Sequence, residues 1–201
     1  MTVLATTAFD EPEVPEDPGI SPYSYAGLLA EARGLPNDRY LARIIASWLN
    51  GSSVLPAWLG LALKDYRALM ARHFPRMGAP MPCPEPPGLS AALADEQRDV
   101  AELIRRHRRG ADRSEVWLAQ IVAAGCLGRE HLWRDLGLSG RGELSELIAS
   151  AFPDLRTRND RDMKWKKFLY KCLCEETGIY TCRAPSCDAC SDFHDCFGPE
   201  E

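Results

Sequence analysis

Residues 165–196 read Trp165-Lys-Lys-Phe-Leu-Tyr-Lys-Cys-Leu-Cys-Glu-Glu-Thr-Gly-Ile-Tyr-Thr-Cys-Arg-Ala-Pro-Ser-Cys-Asp-Ala-Cys-Ser-Asp-Phe-His-Asp-Cys196. The first half places Trp165, Phe168, Leu169, Cys172 and Leu173 at i, i+3, i+4, i+7 and i+8, the period of a helix with one buried face. Gly178 ends that helix, and Asn159 or Asp160 is positioned to cap its start. The second half places Cys182, Cys187, Cys190 and Cys196 within fifteen residues as C-x4-C-x2-C-x5-C, interrupted by Pro185. A helix therefore delivers an irregular cysteine-rich loop, and four thiolates in so short a segment point to metal.

The spacing distinguishes among metals. A structural zinc ion is usually gripped by two C-x2-C knuckles a dozen or more residues apart, and here there is one knuckle flanked by single cysteines. An iron–sulfur cluster presents iron corners that lie apart, and C-x4-C-x2-C with a later fourth cysteine is a plant-type ferredoxin spacing. The loop thus favours an iron–sulfur cluster, with zinc as the alternative and disulfides the weakest reading. Eight cysteines in 201 residues, half of them in one loop, do not form a scaffold of staples.

Outward from this segment the pattern is helical almost throughout. Candidate helices cover about 23–33, 38–49, 57–74, 90–109, 112–125, 142–152 and 160–176. In the second, Leu41, Ile44, Ile45, Trp48 and Leu49 repeat the same stripe, with Asn37 or Asp38 as cap. The third follows Pro56 and carries Trp58, Leu59, Leu63, Tyr66 and Met70; the fourth shows Leu93, Val100, Leu103 and Ile104. Asp112 and Glu115 read as a capping box for the fifth. Pro75, Pro80, Pro82, Pro84, Pro86 and Pro87 exclude helix from residues 75–88, leaving a loop or linker in which Cys83 lies. The expected fold is all-α, six to seven helices over residues 21–180. An acidic proline-rich disordered tail (1–20) precedes it, and a cysteine-rich cluster-binding loop (181–201) follows.

Composition bounds the function. A formal net charge of −5 gives no general reason to expect nucleic acid, and no apolar run approaches bilayer length. The start has no basic n-region, so a cytoplasmic protein is expected. There is no Gly-rich phosphate loop and no His-Glu-x-x-His, so the chain is not read as an enzyme. Two basic groups stand out. Arg105, Arg106, Arg108 and Arg109 close the fourth helix, where cations offset the macrodipole. Lys164, Lys166, Lys167 and Lys171, after Arg156, Arg158 and Arg161, form either a solvated face or an electrostatic partner for a negatively charged cluster or an oxyanion such as molybdate.

Met163-Lys164-Trp165-Lys166-Lys167-Phe168-Leu169-Tyr170, the four-cysteine loop and Phe197-Gly198-Pro199-Glu200 together resemble the C-terminal signature of the NifQ family. Cys126-Leu127-Gly128 and His131-Leu132-Trp133-Arg134-Asp135-Leu136-Gly137-Leu138 resemble its central motif. The resemblance implies a molybdenum carrier for nitrogenase iron–molybdenum cofactor biosynthesis. Such a protein holds a Mo–Fe–S cluster, with a [4Fe–4S] form also in view, and donates to the scaffold NifEN together with the iron protein NifH. The implied ligands are Cys182, Cys187, Cys190 and Cys196, with His131, Cys126 and Cys174 as candidate additional ligands to molybdenum. Two other classes stay open: an iron–sulfur redox or regulatory protein without molybdenum, and, loosely, an iron–sulfur DNA glycosylase, whose helix-hairpin-helix this chain lacks.

Overall fold

The computed structural model describes residues 21–82, 84–178 and 193–200. Among them are ten α-helices, one 3-10 turn and no strand: α1 Tyr25–Ala30, α2 Asp38–Leu49, α3 Leu63–His73, α4 Ala91–Arg106, α5 Ser114–Cys126, α6 Leu132–Leu136, α7 Arg141–Ala151, α8 Pro153–Arg158, α9 Trp165–Thr177 and α10 Phe193–Phe197, with the 3-10 turn at Ala57–Gly60. The all-α expectation holds, and the additional helices are short ones.

Helix α5 is the axis of the fold. Every residue from Ser114 to Cys126 except Val116 and Gln120 is buried, so this helix is apolar on all sides and must be enclosed by others. Helix α4 packs along it, α9 lies on α4, and α3, α6 and the 3-10 turn cover the remaining faces. One hydrophobic cluster runs through Leu41, Trp48, Tyr66, Leu103, Trp117, Leu147 and Trp165, joining residues on both sides of the proline-rich stretch. That stretch contains no helix among its described residues, and it is tied down by the Tyr66 hydroxyl donating to Pro80 O at 2.7 Å.

The α5 cap forms as the sequence implies. Asp112 Oδ1 accepts from Ser114 N at 2.7 Å and Glu115 Oε1 from Asp112 N at 3.0 Å, while Glu115 also takes the amides of Gly110 and Ala111. Three expectations are corrected. The third helix starts at Leu63, because Trp58 and Leu59 take left-handed angles (φ 57° and 61°) that a right-handed helix cannot include. Gly60 continues the left-handed run at φ 79°, and the space its Cβ would fill is taken by Ala124 and Gln97. The turn is pressed against α4 and α5 there, and Gln97 Nε2 donates to Gly60 O at 3.0 Å. Leu93 is exposed rather than part of the α4 face, which buries Gln97 instead. Finally, α9 begins at Trp165, because buried Asn159 does not cap it. The Asn159 side chain brackets the preceding turn, accepting from Met163 N and donating to Met163 O, both at 2.8 Å.

Candidate metal centre

In sequence the cysteine-rich segment follows α9 and includes α10. Gly178, at φ 70°, closes α9 as a left-handed cap, and α10 docks at the opposite end of the same helix. There the Lys164 amide donates to Cys196 O at 2.7 Å, and Lys164 Nζ lies 3.5 Å from His194 O. The rings of Phe193 and Phe197 stack with centroids 4.5 Å apart, and the Arg161 guanidinium sits over both at 5.8 and 5.2 Å. Of the four loop cysteines, Cys196 is described: it is half-buried, packed against the core, on α10. Cys182, Cys187 and Cys190 lie outside the described residues, as does Cys83.

The additional candidates fall in different settings. His131 is the N-cap residue of α6, half-buried, with Nδ1 3.7 Å from Glu200 Oε2. It lines a cleft of ≈ 300 Å³ together with Arg129, Lys164, Trp165, Lys167 and Glu200. Cys126 ends α5 inside the core, and burial pushes its thiol up to about 12, so it is protonated and enclosed in the folded chain. Cys172 is also in the core, where burial raises its thiol. Cys174 is half-buried on α9. Among the described residues, no three His, Cys, Asp or Glu side chains converge as a ligand set. Buried Cys126 and Cys172 form no disulfide.

The basic residues fall into groups with different surroundings. Lys166 turns inward: its ammonium pairs with the Asp135 carboxylate and donates to Gly128 O at 2.9 Å. Lys171 lies 3.7 Å from Glu175, and Arg158 3.9 Å from the same residue. In the α4 group, Arg105 and Arg106 pair with Glu102, and Arg106 also with Glu176 at 2.9 Å. Arg109 donates to the Ala149 and Ser150 carbonyls, satisfying acceptors at the end of α7. Three of the four arginines of that basic stretch are therefore engaged within the chain. Around Cys196 the chemistry is different, with Arg161, Lys164 and the exposed Lys167 gathered at the start of α9. A soft thiolate donor beside several cations suits a metal–sulfur body with net negative charge.

Two residues of this centre escaped the sequence reading. Arg141, first in α7, and Glu200, near the end of the chain, pair at 2.7 Å next to His131. Arg141 stands between Gly140 and Gly142 with no periodic pattern to mark it, and Glu200 is a motif residue to which spacing gives no role.

The NifQ family model matches residues 40–198 of the chain. The chain is similar to Protein NifQ of Azotobacter vinelandii, at 44% identity over 174 residues that cover 82% of this chain and 89% of that protein. It is also similar to Protein NifQ of Rhodobacter capsulatus, at 36% over 174 residues (85% and 91%), and to Protein NifQ of Klebsiella pneumoniae, at 34% over 176 residues (81% and 99%). No solved structure matches the chain.

Proposed function

The chain belongs to the NifQ family of nitrogen-fixation accessory proteins, and from that premise we propose that it is a molybdenum carrier for nitrogenase cofactor assembly. Its cargo is a Mo–Fe–S cluster held by Cys182, Cys187, Cys190 and Cys196, and its recipients are the scaffold NifEN and the iron protein NifH. The observation that carries the reading is the setting of Cys196. This fourth cysteine of the motif is half-buried on a short helix fixed to the start of α9, where Arg161, Lys164 and Lys167 supply positive charge.

The division of labour follows from ligand chemistry. Thiolates are soft donors that hold iron and reduced molybdenum, and cations beside them favour gathering several negative sulfurs in one place. His131 stands at the edge of this region with Nδ1 toward Glu200, so its ligation would run through Nε2 with the carboxylate orienting the ring. A carrier is emptied once per loading, so the protein acts as a metallochaperone and not by turnover.

Elemental analysis of anaerobically purified protein tests the proposal, with iron, molybdenum, zinc and acid-labile sulfide measured in the natural chain and in Cys187→Ser. The expected outcome is iron, sulfide and molybdenum together, all falling in the variant. Iron and sulfide without molybdenum, even after loading with molybdate under reducing conditions, would transfer the protein to the redox or regulatory class. Zinc alone would overturn the cluster altogether.

A further inference from the structure

The chain's last described residue, Glu200, is an acid that has gone inside. Its side chain is 4% exposed, and a carboxylate at the end of a chain has no reason to leave water unless a partner holds it. The partner is Arg141, whose Nη1 donates to Glu200 Oε1 at 2.7 Å and whose side chain is 20% exposed. The same guanidinium donates through Nη2 to Asp162 O at 2.6 Å and to Met163 O at 3.3 Å, and lies 3.1 Å from the Asp162 carboxylate. Asp162 has φ 55°, a left-handed angle that Asp tolerates better than most residues and that turns its carbonyl within reach of Arg141. One side chain thus ties the start of α7, the turn that enters α9 and the segment that follows α10.

Cys196 lies four residues before Glu200, inside this clamp. Its carbonyl is bonded to the Lys164 amide, next along the chain from Met163, and Gly198 N donates to His194 O at 2.8 Å to close α10. The two ends of α10 are held by different means: Arg161 over the rings of Phe193 and Phe197, and the Arg141–Glu200 pair beyond Gly198. An exposed ion pair would contribute little to such an arrangement, but this pair is largely withdrawn from water and one partner also holds two backbone carbonyls.

We propose that Arg141 and Glu200 are positioning residues that fix Cys196 in its ligating place before metal arrives. The role of Cys196 as a ligand rests on the carrier reading above. The clamp itself is a property of the metal-free chain.

The test uses the full-length metal-free protein with Arg141→Gln and Glu200→Gln. The rate of iodoacetamide alkylation is mapped at each cysteine by mass spectrometry, followed by anaerobic reconstitution with ferrous iron and sulfide. The expected result is a several-fold faster reaction at Cys196 in both variants, with Cys126 as protected as in the natural chain. After reconstitution, iron and sulfide per chain should fall by half or more, with a broadened electron paramagnetic resonance signal. Unchanged Cys196 reactivity in both variants overturns the clamp. Faster alkylation with full iron and an unaltered spectrum overturns its link to ligation. If Cys126 also becomes reactive in Arg141→Gln, Glu200→Gln decides, since it leaves the bonds from Arg141 to Asp162 and Met163 in place. Natural protein that takes up no iron would sink the carrier reading, while the alkylation rates would still judge the clamp.

Discussion

Lys166 lies one position after Trp165 on α9, where a helical projection puts it with the water-facing lysines. The fold instead brings it against Asp135, whose side chain is 1% exposed, with Lys166 itself 18% exposed. Removing a cation from a buried pair leaves an uncompensated carboxylate, which is far more damaging than never having had the pair. Lys166→Ala should therefore lower unfolding stability by about 3–5 kcal/mol, measured by urea titration. Lys167→Ala, on an exposed side chain one residue further on, should stay within about 0.5 kcal/mol of the natural chain. The contrast also marks a limit of sequence reading. Cys172 is placed in the core by its spacing from Trp165 and Leu169, whereas the partner of Lys166 is 31 positions away, and no local pattern encodes that meeting.

At the scale of elements, legibility follows length. Helices α2 and α9 announce themselves because their buried stripes span three turns, enough for a period of 3.6 to show. Helices α6, α8 and α10 have five, six and five residues, too few to repeat a pattern. Pro153, expected to end one helix, also begins the next, since its missing amide is harmless in a first turn. The break before α3 is invisible for another reason: Trp58 and Leu59 are ordinary helix residues, held left-handed by tertiary contacts at about 1–2 kcal/mol each. The junction of α5 and α6 depends on a small residue in the same way. A Cβ on Gly128 would collide with the Asp135 carboxylate, which Lys166 keeps from moving aside. Gly128→Ala should cost about 1–3 kcal/mol by thermal denaturation, with the loss shrinking in an Asp135→Ala background where the obstruction is gone.

At the scale of the whole molecule, one hydrophobic core unites the described residues. Its members run from Leu28 to Cys172, with Cys196 and Phe197 added at the margin. Stability on this plan comes from helix packing around α5, and metal adds only what binding contributes by mass action. The chelated, metal-free protein should keep its helical far-ultraviolet circular dichroism and melt in one cooperative transition, a few degrees below the loaded form. Loss of helical signal on chelation would show that metal holds the fold itself. The candidate site was legible to the extent that chemistry is written locally, as four cysteines in C-x4-C-x2-C-x5-C. Its setting was not, because Arg141, Asp162 and Glu200 come from three separate parts of the chain.

The docking of α10 at the start of α9 sets a length relation between the helix and the number of residues that separate α9 from α10 in the sequence. A helix of 13 residues is about 20 Å long, whereas the 14 residues of 179–192 could reach about 46–50 Å if fully drawn out. The sequence between Gly178 and Phe193 is thus long enough to span the helix more than twice over, and the residues on either side of it belong to described helix ends. Three of the four proposed ligands, Cys182, Cys187 and Cys190, fall among those 14 positions, so all four thiols belong to one chain and form a local pool by covalent connection. Once one thiolate has bound, each further ligand is recruited from that local pool and not from solution. Uptake by the proposed carrier is then a sequence of intramolecular ring closures, and freeing α10 from α9 releases the one proposed ligand that the described body holds, Cys196.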